Sequence, residues 1–282
     1  MRLTYLLTFG LLALLITACA QPKVQLPEVS MEEVEAEKSY QTKHLYEQDF
    51  TSLYQTTPSW GKAEKRLGKV NPKVGPAAIK LCNELRLRGD RQSCVFDVVL
   101  VGKKEGFNAY ADGNEVAIGI KMLELLDKDE QLAFIIAHEL AHNLMNHRTD
   151  KLQNAIGGIL LGAMVDVMVA NQGENSYGGF AAAGATAGTY AYSQSYEHEA
   201  DYVALYILAR AGYDIDKAPA VWRKMAALNP DNIRYAHTHP TTAERFVYMR
   251  KAIEEIKAKR KSKSPLKPNF LAKEGEGEEE KS

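Results

Sequence analysis

His138-Glu139-Leu140-Ala141-His142 is the stretch of this sequence best equipped for chemistry. Two histidines four apart on a helix lie on one face, so both imidazoles can reach a single zinc ion. Glu139 stands beside that face, where its carboxylate can take a proton from a water at the metal. A catalytic zinc also needs a third protein ligand, with the fourth position left open. The metzincin extension would place Gly at 145 and His at 148, but the residues there are Met145 and Arg148, so that class is excluded. His147 falls on a different helix face from His138 and reads as a structural or supporting histidine. Within Tyr196-Glu197-His198-Glu199-Ala200-Asp201, Glu197 can complete the site. Asp201, one turn later, can accept a hydrogen bond from the second ring nitrogen of a ligand histidine.

Those residues need elements to hold them. Leu132, Ile135, Ile136, Leu140 and Leu144 recur at helical spacing, and Asp127 with Glu130 reads as the cap of that helix. Upstream, β-branched segments at 95–101, 106–110 and 115–120, with Asp112-Gly113 between the last two, predict a small antiparallel sheet with a tight hairpin. An edge strand at Asn108, Ala109 and Tyr110 could hold an extended peptide by main-chain hydrogen bonds. Further helices are expected from Ser30 to about Tyr54, from Pro76 to Leu87 near Gly89, and around Glu197 as far as Gly212. Two more follow from Ile215 to Leu228 and from a Thr241–Glu244 capping box to Lys259. Between Asn154 and Ala191 the chain is rich in Gly and Ala. Asp166 interrupts its apolar run, which argues for two closely packed helices rather than a membrane span. Their connection at 171–175 sits between the two motifs, where it could cover a cleft.

Taken together, H-E-L-A-H and E-H-E-A-D, Asn108-Ala109-Tyr110 before a Gly-containing turn, and His239-Pro240 followed by Arg245 form an ordered set. The set resembles the HtpX and CAAX-prenyl-protease family of gluzincin metallopeptidases, over roughly residues 65–255. The resemblance implies an α+β, mainly helical, zincin-like domain with the small sheet beside the H-E-x-x-H helix. It implies one Zn2+ per chain on His138, His142 and Glu197, with Glu139 as catalytic base. His239 would reach the metal site, either as an oxyanion donor or as a resting-state ligand, and Asp201 and Arg245 would support the ligands. The membrane-spanning members carry several hydrophobic helices that this chain lacks, so it looks closer to the soluble periplasmic lipoproteins of the family.

The start of the chain agrees. Arg2, an apolar run from Leu3 to Ile16, and Leu15-Ile16-Thr17-Ala18-Cys19 resemble a bacterial lipoprotein signal, with Cys19 as the acylated residue. Ala20 after the cysteine suggests export to the outer membrane of a Gram-negative cell, facing the periplasm. In that oxidising compartment Cys82 and Cys94 are expected to form a disulfide worth about 3 kcal/mol. With 282 residues, 45% of them hydrophobic, one good-sized core can form. A net charge of −1 without a concentrated basic face excludes a nucleic-acid partner. The expected organisation is a signal peptide at 1–18, a lipidated tether and helix at 19–64, a metallopeptidase domain at 65–256, and a disordered charged tail at 257–282. The expected function is endoproteolysis of unfolded or misassembled envelope proteins. A chaperone or assembly factor for outer-membrane proteins, with secondary proteolysis and contact with their assembly machinery, is the alternative.

Overall fold

Apolar residues surround the H-E-x-x-H helix on every side, so it can only be a core helix. The computed structural model describes residues 20–45, 57–88, 92–191, 193–227 and 242–271. In chain order its helices begin with α1 (Met31–Leu45), α2 (Trp60–Leu85), α3 (Met122–Leu125) and α4 (Asp129–Leu144). They continue as α5 (His147–Ala170), α6 (Gly179–Tyr190), α7 (Ser193–Arg210), α8 (Pro219–Ala227) and α9 (Ala243–Lys261). Three strands, β1 (Asp97–Val101), β2 (Ala109–Ala111) and β3 (Glu115–Gly119), make one sheet. The chain divides into two compact units, Lys23–Met145 with Glu197–Ser282, and Met1–Pro22 with Asn146–Tyr196.

The larger unit carries α4, buried from Gln131 to Leu144. Its start differs from the capping pair expected at Asp127 and Glu130. Asp127 pairs with Lys224 instead, and the Gln131 side chain accepts from the Lys128 N–H at 3.4 Å. α2 begins well before Pro76 and runs through both Pro72 and Pro76. Each proline costs an interior helix about 3 kcal/mol. The buried stripe of Leu67, Val70, Val74 and Leu81, at about 1.5–3 kcal/mol per side chain, offsets that. The helix ends at Leu85, two residues before the expected Leu87, with Arg86 in the left-handed region; Gly89 lies outside the described residues. Cys82 and Cys94 are joined in a disulfide with Cα atoms 5.9 Å apart, tying α2 to the segment before β1.

The sheet is mixed, not antiparallel throughout. Its order is β1-β3-β2, with β1 parallel and β2 antiparallel to β3. The Asp112-Gly113 hairpin forms as expected, with Asp112 Oδ1 accepting from the N–H groups of Asn114 and Glu115 at 2.7 and 2.8 Å. β3 then enters between the two earlier strands. The chain before β2 passes so near the end of β3 that a Cβ at Gly119 would lie 2.7 Å from the Asn108 carbonyl oxygen. Asn143, at the end of α4, accepts from Gly113 N–H at 2.8 Å and donates to the Glu115 carbonyl at 3.0 Å. That pair of bonds fixes the hairpin against the histidine-bearing helix.

The segments 23–45 and 257–271 belong to this unit more fully than the sequence suggests. α1 is held on α9 by Lys251 with Glu33 at 2.8 Å and Arg250 with Glu37 at 3.5 Å. Residues 257–271, expected to be disordered, are ordered. α9 continues to Lys261, and Lys259 Nζ donates to the Lys267 carbonyl at 2.7 Å. Gln25 and Leu271 exchange backbone bonds with Asn269 and Lys23 in a short antiparallel bridge of Val24 and Phe270. Charge composition did not reveal this, because part of the order comes from distant residues: Tyr202, whose hydroxyl accepts from Asn269 N–H at 3.1 Å, and Val24 in the bridge. Residues 272–282 lie outside the described residues.

The smaller unit is a helical hairpin of α5 and α6 joined by a turn at 171–178. The two close-packed helices expected between Asn154 and Ala191 are these. Asn146, in the left-handed region, separates α4 from α5. His147 therefore opens a new helix, buried and stacked on Tyr196 at 4.7 Å.

Candidate metal centre

Four residues of α4 and α7 build the centre. α4 projects His138 and His142 from one face, with ring centroids 4.7 Å apart. α7 supplies Glu197, one oxygen 3.3 Å from His138 Nε2 and the other 3.4 Å from His142 Nε2. The two Nε2 atoms are 3.1 Å apart. Three donors bonded at about 2.05 Å to a tetrahedral ion would stand about 3.3 Å from one another. The residues present therefore fit such a metal, and all three are buried.

The fourth residue, Asp201, lies one turn beyond Glu197 and accepts from His138 Nδ1 at 3.0 Å. With a metal bound, that contact would keep the ring's remaining proton on Nδ1 and leave Nε2 to the metal. Arg245, from the start of α9, braces the carboxylate with Nε at 2.8 Å and Nη2 at 2.9 Å. Its Nη2 also lies 3.4 Å from Glu197. Burial opposes the charge on Asp201, but Arg245 and His138 hold its carboxyl down to about 2. Burial likewise opposes charge on His138, yet Asp201 and Glu197 together raise it to about 9 in the metal-free chain.

The neighbouring residues of the two motifs lie as follows. Glu199 faces away from the metal ligands and accepts the backbone N–H groups of Lys23 and Val24 at 2.6 and 2.8 Å. Burial pushes its carboxyl up to about 7. His198 packs on Tyr248 at 4.5 Å, and burial beside Arg245 lowers it to about 4, so it stays neutral. Glu139 is buried on α4 between the ligand histidines. Asn108, Ala109 and Tyr110 lie at β2, the strand that borders α4, with β3 on one side and no further strand on the other among the described residues. His239 and the Thr241 cap lie outside the described residues, as does Cys19. The observed cap of α9 is Thr242, whose hydroxyl accepts from Arg245 N–H at 3.3 Å.

Two participants were not found by sequence reasoning. Trp222 of α8 donates its indole N–H to Asp201 at 3.1 Å and sets its ring edge-on to His138 at 5.1 Å. The Arg245 guanidinium lies over the same indole at 4.0 Å. Asn143, one residue beyond His142, is the other, through its bonds to the hairpin. A buried tryptophan with a polar partner was the available signal, but nothing local says which carboxylate it meets.

The model of Peptidase family M48 matches residues 78–253. The chain is similar to the mitochondrial metalloendopeptidase OMA1 of Saccharomyces cerevisiae, 29% identical over 148 residues, covering 49% of this chain and 41% of that protein. It is also similar to the beta-barrel assembly-enhancing protease of Yersinia pestis, 26% identical over 191 residues, covering 63% of this chain and 38% of that one. With the protein of the same name from Escherichia coli K12, it shares 26% identity over 178 residues, covering 57% and 35%. The chain thus spans about two fifths of the length of the curated relatives it matches.

Proposed function

Since the chain belongs to peptidase family M48, we propose that it is a zinc-dependent endopeptidase of the bacterial envelope, acting on unfolded or misassembled proteins. The observation that carries this reading is the buried trio His138, His142 and Glu197, whose donor atoms all lie within 4.8 Å of one another, close enough to share one ion. A zinc ion bound there would supply Lewis acidity to a water and to the scissile carbonyl. Glu139 removes the proton from the attacking water and returns it to the leaving amine nitrogen. Asp201 keeps the His138 Nδ1 proton in place, and Arg245 with Trp222 keeps Asp201 in place. Asn108, Ala109 and Tyr110 hold an extended segment through the outer edge of β2, a mode that makes little demand on side-chain identity. His239 acts on the oxyanion or closes the resting site.

Acylation of Cys19 would anchor the chain at the outer membrane, facing the periplasm. The assembly-factor reading keeps its place through the relatives whose name couples protease to beta-barrel assembly. The direct test is Glu139→Gln in the zinc-loaded full chain with unfolded casein. Hydrolysis should fall by about 10²–10⁴-fold with zinc content unchanged. Equal rates in the two proteins would refute the mechanism.

A further inference from the structure

A helical hairpin in water hides its large apolar side chains between its helices and turns polar ones outward. The α5–α6 hairpin does the reverse. Leu152, Ile156, Ile159, Leu160, Val167 and Met168 are all exposed on α5, as is Phe180 on α6. The contact between the helices is made by glycine. A Cβ on Gly158 would lie 1.9 Å from the Gly184 carbonyl oxygen, one on Gly162 would lie 2.0 Å from that of Phe180, and one on Gly188 would lie 2.1 Å from that of Asn154. Gly158 with Gly162, and Gly184 with Gly188, are two G-x-x-x-G pairs facing each other. Such a seam brings backbones together but buries little apolar side chain, so water gives it small reward.

We infer that this hairpin is embedded in the apolar layer of a lipid bilayer. Four further observations favour lipid over any polar surroundings. Between Leu152 and Tyr196 the only acidic or basic residues are Asp166 and Glu174. Glu174 sits in the turn, and Asp166 is spent on the hairpin itself, accepting from Ser176 and from the N–H groups of Phe180 and Ala181 at 3.2 and 2.9 Å. Asp166, read in the sequence as an obstacle to a membrane, is thus the N-terminal cap of α6. The exposed hydroxyls of Thr186 and Thr189 donate back to the carbonyls of Ala182 and Ala185 at 3.1 and 2.8 Å, so these donors need no water. α5, with 24 residues, is about 36 Å long, against a hydrocarbon layer of about 30 Å. It is long and apolar enough to cross one.

The base of the hairpin points the same way. Arg148 and Lys151 lie in the first turns of α5, where cationic side chains suit anionic headgroups. Asn154 grips Ala20 there, accepting from its N–H at 2.8 Å and donating to its carbonyl at 3.1 Å, while Tyr196 donates to the same carbonyl at 2.6 Å. Ala20 is thereby held beside the start of the apolar stretch of α5.

The test places an environment-sensitive nitrobenzoxadiazole dye on Leu160→Cys in the full chain. Lys65→Cys, exposed on α2, is the control. The proteins are reconstituted in phosphatidylethanolamine–phosphatidylglycerol vesicles carrying nitroxide on the acyl chains. Quenching at position 160 should exceed that at position 65 severalfold, with a blue-shifted emission, and Met168→Cys should behave like Leu160→Cys. Because the readout needs no hydrolysis, its failure is separable from failure of the peptidase reading. Equal quenching at positions 160 and 65 would overturn the inference. So would disulfide-linked dimers through position 160 without lipid quenching, which would assign the face to a second copy of the chain.

Discussion

The metal-centre unit and the α5–α6 hairpin place their residues by opposite habits. Around the metal position, four ionised or ionisable groups, His138, Glu197, Asp201 and Arg245, are buried in contact with one another. In the hairpin, leucine, isoleucine, valine and methionine stand exposed and the interior is glycine. Burial in this protein therefore follows the partner and not the hydrophobicity of the residue alone. A charge can be interior where opposite charges are packed against it, and a leucine can be exterior where the surroundings are apolar.

The sharpest way to break the comparison is Arg245→Leu. It leaves the Asp201 carboxylate buried without its guanidinium, and the chain should lose about 3–5 kcal/mol of stability. Urea unfolding of the metal-free and zinc-loaded protein measures it, and a loss within error of zero would mean that the buried charges are not interdependent. Metal affinity should come next. In the metal-free chain His138 is held near 9, above its ordinary 6.5, so its protonated contacts stabilise the fold fully below pH 6.5. That contribution disappears as pH rises through 9. A metal must displace the same proton, so affinity should rise about tenfold per pH unit between 6.5 and 9. Competition with a chromophoric chelator at three pH values would show it, and a flat profile would contradict the assigned contacts.

On the hairpin side, Gly158→Ala should force the helices apart and cost about 1–3 kcal/mol, while zinc content stays at its wild-type level. Thermal melting with metal analysis separates the two effects. The smallest change, of opposite sign, is Gly68→Ala in α2. A Cβ there meets nothing within 4 Å, so replacing a mid-helix glycine should stabilise by about 0.5–1 kcal/mol. A destabilised Gly68→Ala together with a neutral Gly158→Ala would reverse the packing contrast on which both rest.

What could be read from the sequence was local. His138, His142 and Glu139 share a helix, and Glu197 and Asp201 share another, so a period of 3.6 residues is enough to group each set. The Asp112-Gly113 turn was equally plain, because its geometry depends on adjacent residues. Arg245 could be singled out by its place after His239-Pro240, but no local pattern pairs it with Asp201. Tertiary structure alone decided the rest. It brought Trp222 to Asp201, sent Glu199 to the backbone of Lys23 and Val24, and placed β3 parallel to β1. It carried α2 through two prolines because a buried apolar stripe outweighed their local cost, and ordered residues 257–271 in part on distant Tyr202 and Val24. It also turned Asp166 from a charge in an apolar run into a satisfied cap. In each case the deciding free energy comes from groups far apart along the chain, which no local pattern records until the fold brings them into contact.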